Sequence, residues 1–173
     1  MKLDFIHLLP VNFDAQSRVW IYQASRLFTL SEALEIEDML NAFASGWTSH
    51  GDKVKGSGHL LFGQFIILMA DETASGVSGC STDSSVRLIK EIESKTGVTL
   101  FDRQSLAFAI KGKVELLPIS QMNYAIENNF VNTDTLYFNN TVGTKAELEN
   151  NWIIPVKDSW LGKKYNFTKT VSS

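Results

Sequence analysis

Apolar residues recur along this chain with two spacings, one helical and one extended, and the alternation between them predicts a succession of elements. Arg18 to Ala24 is dense in β-branched and aromatic residues and predicts a strand. Thr29-Leu30-Ser31-Glu32 has the form of a capping box, with Thr29 as N-cap and Glu32 three positions inside the helix. Behind it, Ala33, Ile36, Leu40, Phe43 and Trp47 recur at helical spacing, while Glu32, Glu35, Asp38 and Asn41 take the other face. Between about Lys53 and Asp71 the composition is β-type, interrupted by Gly56, Gly58 and Gly63, and predicts two strands with a turn near Phe62-Gly63-Gln64 or, alternatively, at Gly56-Ser57-Gly58. The second of them, Phe65 to Met69, is apolar throughout, as a strand covered on both faces would be.

A Gly/Ser-rich loop, Glu72 to Ser81, leads into a helix expected from about Asp83 to Thr96. Val86, Ile89 and Ile92 line its apolar side, Arg87, Glu91 and Lys95 form i,i+4 pairs on the wet side, and Gly97 suits the position after its end. Leu106, Phe108 and Ile110 alternate with small residues in a fourth strand, and Lys111-Gly112-Lys113 turns the chain. A helix beginning at Pro118 with Ile119, Met122, Ile126 and Phe130 on one face, a strand at Leu136 to Phe138, a helix capped by Thr144 with Glu147, and an aromatic tail at Trp152 to Trp160 follow. The order β-α-β-β-α-β is that of a split βαβ pattern. The expectation is therefore an α+β protein, one domain over 1–173. It has a ferredoxin-like βαββαβ core at about 18–117 and a C-terminal α/β extension at about 118–173.

Composition narrows the classes of function. The 173 residues carry a net charge of −3, with acidic and basic residues interspersed. Lys163-Lys164 is the longest basic run, so the electrostatic footprint of a nucleic-acid binder is missing. The single cysteine, Cys80, excludes an intrachain disulfide and implies no oxidising compartment. Asp4 and His7 interrupt the apolar N-terminal stretch, so no signal peptide is read there, and the apolar run at 65–70 is far shorter than a membrane span. A soluble, cytoplasmic protein with no membrane or nucleic-acid partner is expected.

The topology brings candidate chemistry together. In a split βαβ unit the exit of the first helix lies beside the exit of the third strand, so Trp47-Thr48-Ser49-His50-Gly51 and the loop after Asp71 become neighbours. The loop closes on Ser78-Gly79-Cys80-Ser81-Thr82-Asp83 at a helix start, where free N–H groups and the dipole favour an anion or a thiolate. One reading makes Cys80 a nucleophile, His50 its base and Asp71 an orienting carboxylate. A second makes Trp47, Ser49, Ser78, Ser81 and Asp83 the lining of a site for a small anionic ligand. A third assigns Ser81, Thr82 or Asp83 to helix capping, Cys80 to packing and His50 to a loop.

Other motifs fail on their residues. Gly51 to Gly56 has the glycine spacing of a phosphate loop, but Ser57-Gly58 stands where Lys and Ser/Thr are needed. His7, His50 and His59 lack zinc-ligand spacing, so neither metal nor cofactor is expected. Phe62-Gly63-Gln64-Phe65 has the aromatics of an RNA-reading strand without its basic surroundings.

Several stretches together carry a resemblance: Arg18-Val19-Trp20-Ile21-Tyr22-Gln23, Gly46-Trp47, Ser49-His50-Gly51, Ser78 to Val86, Thr144-Lys145-Ala146-Glu147 and Asp158-Ser159-Trp160. From Arg18 to Trp160 the chain resembles a family of short bacterial proteins of uncharacterised function, some of which carry the label "ABC transporter ATPase". The missing loop lysine does not support that label, and the resemblance implies no catalytic residues. The function expected is a binding or interaction module, compatible with a homodimer and with a small anionic ligand. The alternative is a small hydrolase or thiol-dependent transferase built on His50 and Cys80.

Overall fold

A computed structural model describes residues 3–74 and 81–168, with side chains at 3–73 and 84–168. Among them are five α-helices and three antiparallel sheets. In chain order the elements are β1 (Arg18–Gln23), α1 (Leu30–Gly46), β2 (Thr48–Ser49), β3 (Asp52–Lys53), β4 (Lys55–Leu61), β5 (Phe65–Asp71), α2 (Ser81–Thr96), β6 (Ser105–Ile110) and β7 (Lys113–Pro118). They continue as α3 (Met122–Glu127), β8 (Leu136–Phe138), α4 (Lys145–Asn151), β9 (Ile153–Pro155) and α5 (Trp160–Lys164). No helix among the described residues is long and apolar enough to cross a membrane.

The chain divides into two compact units. One comprises Asp4–Asp102 with Gly143–Glu149; the other comprises Met1–Leu3, Arg103–Val142 and Asn150–Ser173. The break falls between Asp102 and Arg103, earlier than the boundary expected near residue 117, and a short later segment returns to the first unit.

The first unit is built on a sheet of order β1-β5-β4, antiparallel throughout. The central β5 is buried along its whole length, which accounts for its unbroken apolar sequence. Its even-numbered residues Ile66 and Leu68 face α1 and α2, joining Ile36, Leu40, Leu88, Ile89 and Ile92 in one core. α1 begins at the expected capping box: Thr29 accepts from the Glu32 N–H at 3.2 Å and Glu32 accepts from the Thr29 N–H at 2.8 Å. The tight hairpins β2–β3, β4–β5 and β6–β7 each turn on a residue followed by glycine, both at positive φ: His50-Gly51, Phe62-Gly63 and Lys111-Gly112. Paired positive φ is the backbone that matches strand twist in a tight turn, and glycine takes it without strain.

The elements β1, α1, β4, β5 and α2 follow one another in the expected order, with β5 between β1 and β4, but the strand expected to close a ferredoxin-like core is not in that sheet. Ser105–Ile110 pairs with β7 on one side and β8 on the other, in a second sheet of order β7-β6-β8-β9. Two physical reasons account for this. The Lys111-Gly112 turn folds β7 straight back onto β6, and β8 takes the other edge, so both sides of β6 are filled. The place beside β1 is held by residues 143–145: Val19 N–H donates to Gly143 O at 3.0 Å and Lys145 N–H to Ser17 O at 2.9 Å.

The second unit packs α3 and the 160s against its sheet. Leu106, Phe108, Met122, Ile126, Tyr137 and Leu161 form its core, flanked by Trp160 and Tyr165. The indole N–H of Trp160 donates to Tyr137 Oη at 3.1 Å, and that of Trp152 to Asn140 Oδ1 at 2.9 Å.

Candidate functional site

The end of α1 and the end of β5 meet within the first unit. Trp47, the residue after α1, is 1% exposed and packs with Val54 and Ala70. Its ring lies 4.8 Å from Phe43 and 5.8 Å from Trp20, centroid to centroid. This aromatic group depends on Gly56: a Cβ there would stand 2.4 Å from Trp47 Cε3. Arg18 places its guanidinium 4.9 Å above the Trp20 ring, within the range of a cation–π contact, and also faces Glu72 Oε1 at 3.4 Å.

Two polar atoms in this region are almost wholly buried and without a hydrogen-bond partner among the described residues, Trp47 Nε1 and Ser49 Oγ. Trp47 has extended backbone and Ser49 ends β2 two residues on, with exposed Thr48 between them, so the two side chains leave the chain on the same side. Ser17, just before β1, leaves a third such oxygen. Burying a donor unpaired costs roughly 1–3 kcal/mol, so such atoms are uncommon in finished interiors.

Asp71 closes β5 and is also buried. Its Oδ1 accepts from the Thr73 hydroxyl at 2.5 Å and the Thr73 N–H at 3.1 Å. Its Oδ2 accepts from the Asp14 N–H at 3.2 Å and faces Lys55 Nζ at 3.3 Å. The Thr73 hydroxyl bond is the chief cause, opposed by burial and helped by the Asp14 and Thr73 amides and Lys55, that holds the carboxyl at about 2. A carboxylate so occupied is an ionised clamp joining the N-terminal segment, β4 and β5. Both of its oxygens are taken by these donors, rather than by the imidazole that the catalytic reading requires.

His50 is exposed at the tip of the β2–β3 hairpin, with φ of 53°, and its ring has no hydrogen-bond partner among the described residues. The turn, rather than chemistry, accounts for its backbone. Ser78 and Cys80 lie outside the described residues, as do the side chains of Ser81 and Asp83, although α2 does begin at Ser81. The distance on which the Cys80–His50 pairing depends therefore belongs to a segment outside that description.

Next to Phe43, an open groove of about 480 Å³ runs between α1 and α2. Met39, Phe43 and Leu88 give it an apolar floor, and Ser84, Arg87 and Glu91 line its rim. Its volume is within the range of small-molecule sites. No group of three or more His, Cys, Asp or Glu side chains among the described residues could hold a metal ion.

Trp20, Phe43, Arg18 and Ser17 were not picked out as site residues by sequence reasoning. Phe43 reaches Trp47 through the i,i+4 spacing already read along α1, whereas Trp20 reaches it through β1 pairing with β5, which no local pattern encodes. Comparison of the chain with protein families, with curated proteins and with solved structures finds no match.

Proposed function

We propose that this protein is a binding module that takes a small anionic ligand at the end of the first unit where α1 exits and β5 ends. The observation that carries this reading is the pair of buried donors without a partner among the described residues, the Trp47 indole N–H and the Ser49 hydroxyl. An acceptor-rich ligand would satisfy both, and Arg18, one ring away across Trp20, adds positive charge. The apolar floor of the neighbouring groove suits a ligand with a hydrocarbon or aromatic part beside its anionic group. A ferredoxin-like order of elements as far as α2, and the resemblance to short bacterial proteins, belong to the same proposal and bring no catalytic role with them.

The engagement of Asp71 by Thr73, Asp14 and Lys55 favours binding over Cys-His catalysis, because it leaves His50 without that orienting carboxylate. Thermal unfolding with inorganic phosphate, sulfate, acetate and aromatic carboxylates tests the reading. At least one should raise the midpoint of the wild type by several degrees, since a ligand at about 100 times its Kd adds about 2.7 kcal/mol. Trp47→Phe keeps an aromatic ring but removes the indole N–H, and should abolish most of that rise, while Cys80→Ser should retain it. A wild type indifferent to every anion would sink the proposal, as would a response that needs the Cys80 thiol.

A further inference from the structure

The sheet of the first unit has two outer edges, and among the described residues only one is closed. At β1, residues 143–145 fill the edge through two backbone hydrogen bonds and the Arg18–Thr144 bridge. At β4 no strand lies on the outer side among the described residues. An open edge presents a row of backbone N–H and C=O groups, and proteins ordinarily protect it with charge, proline, a bulge or shortness.

β4 carries none of these along its centre. Its register with β5 runs unbroken from Lys55↔Asp71 to Leu61↔Phe65, so no bulge bends it. It contains no proline, and its one charged residue, Lys55, is at the end and engaged with Asp71 and Asn12 O. Gly56 and Gly58 are required by Trp47 and Leu40 above them, so the middle of the strand is flat and low. The outer strands of the other sheet differ. β7 bears Lys113 and Glu115 and ends in Pro118, and β9 has three residues ending in Pro155.

We propose that β4 pairs antiparallel with β4 of a second copy of this chain. An open edge calls for another extended backbone, and a sheet open at one edge and closed at the other assembles into a pair that stops at two. A two-fold axis at Gly58 sets Ser57 opposite His59 of the second copy, Gly56 opposite Leu60, and Lys55 opposite Leu61. No like charges face each other along the strand in this register. One strand edge buries less than the roughly 800 Å² per partner of a standard interface, which places the dimer in the weak class.

Sedimentation or light scattering across about 1 to 100 µM should show the wild type passing from one chain to two. Ser57→Lys/His59→Lys should stay at one chain, because lysines then face each other, and Ser57→Glu/His59→Glu should do the same. An equal mixture of the two variants should recover a two-chain mass. A wild type of one chain throughout, variants that pair as it does, or folded variants that fail to recover on mixing would each overturn the proposal. If circular dichroism shows either variant unfolded, wild-type hydrogen exchange decides. Amides of residues 56–60 should gain protection with concentration while those of β7 do not, and protection independent of concentration overturns the pairing.

Discussion

Asp71 is ionised in the fold because its partners are donors, and that has a consequence for acid stability. Its carboxyl is held at about 2 against an ordinary 3.8. A folded-state value below the unfolded one means that the carboxylate stabilises the protein at pH above about 4, and that the contribution fades as pH falls toward 2. Asp71→Ala should cost about 1–3 kcal/mol in urea unfolding at pH 7, because the Thr73 and Asp14 donors lose a charged acceptor. The gap to the wild type should narrow between pH 4 and 2, and a gap that stays constant would assign the loss to packing instead. At this scale the sequence was informative where a residue's type and its turn agree. Lys111-Gly112 read as a turn and is one, and Trp47 and Ser49 already stood out at the helix exit, whereas the corner at His50-Gly51 read only as a loop. Arg18 above Trp20 was not legible, since a cation two residues from an aromatic on a strand has no distinctive spacing.

Elements with several turns or a full apolar run were readable, and very short ones were not. The capping box at Thr29, the buried β5 and the amphipathic α2 each have periodicity long enough to register. The two-residue strands of the β2–β3 hairpin and the three-residue β9 have none, and β7 carries Glu115 within its apolar positions. The glycines of β4 read as breaks in a strand, whereas in the fold they let α1 settle against it. Gly56→Ala would drive a methyl to 2.4 Å from Trp47 Cε3, and should destabilise the protein by about 1–3 kcal/mol in denaturant unfolding. Shortening the opposing side chain, in Trp47→Leu/Gly56→Ala, should return part of that loss. If the two costs simply add, the α1–β4 separation is not set by this contact.

For the molecule as a whole, the order of elements was legible as far as α2, but the sheet to which each later strand belongs was not. Strand order names the candidates for an edge; which candidate takes it depends on competition among segments far apart in sequence. Here β6 is claimed by β7 and β8, and the vacancy beside β1 goes to Gly143–Lys145, which a local reading saw only as the entrance to a short helix. Fragments that stop after Asp102 should therefore be less soluble than the full chain, with both flanks of the β1-β5-β4 sheet bare. Sedimentation of fragment 1–102 beside the full chain would test this, the full chain staying in the supernatant. Equal solubility of the two would mean that the late segment contributes no protection.

The late closure of that flank also has a meaning in time. A polypeptide leaves the ribosome N-terminus first, so β1, β4 and β5 emerge well before Gly143 has been added. Between Asp102 and Lys145 the ribosome needs roughly 2–9 s at ordinary elongation rates. Throughout that interval a nascent sheet of this protein carries a sticky margin that its own later residues will cover, and that interval is when a chaperone, or a neighbouring nascent chain, would find it.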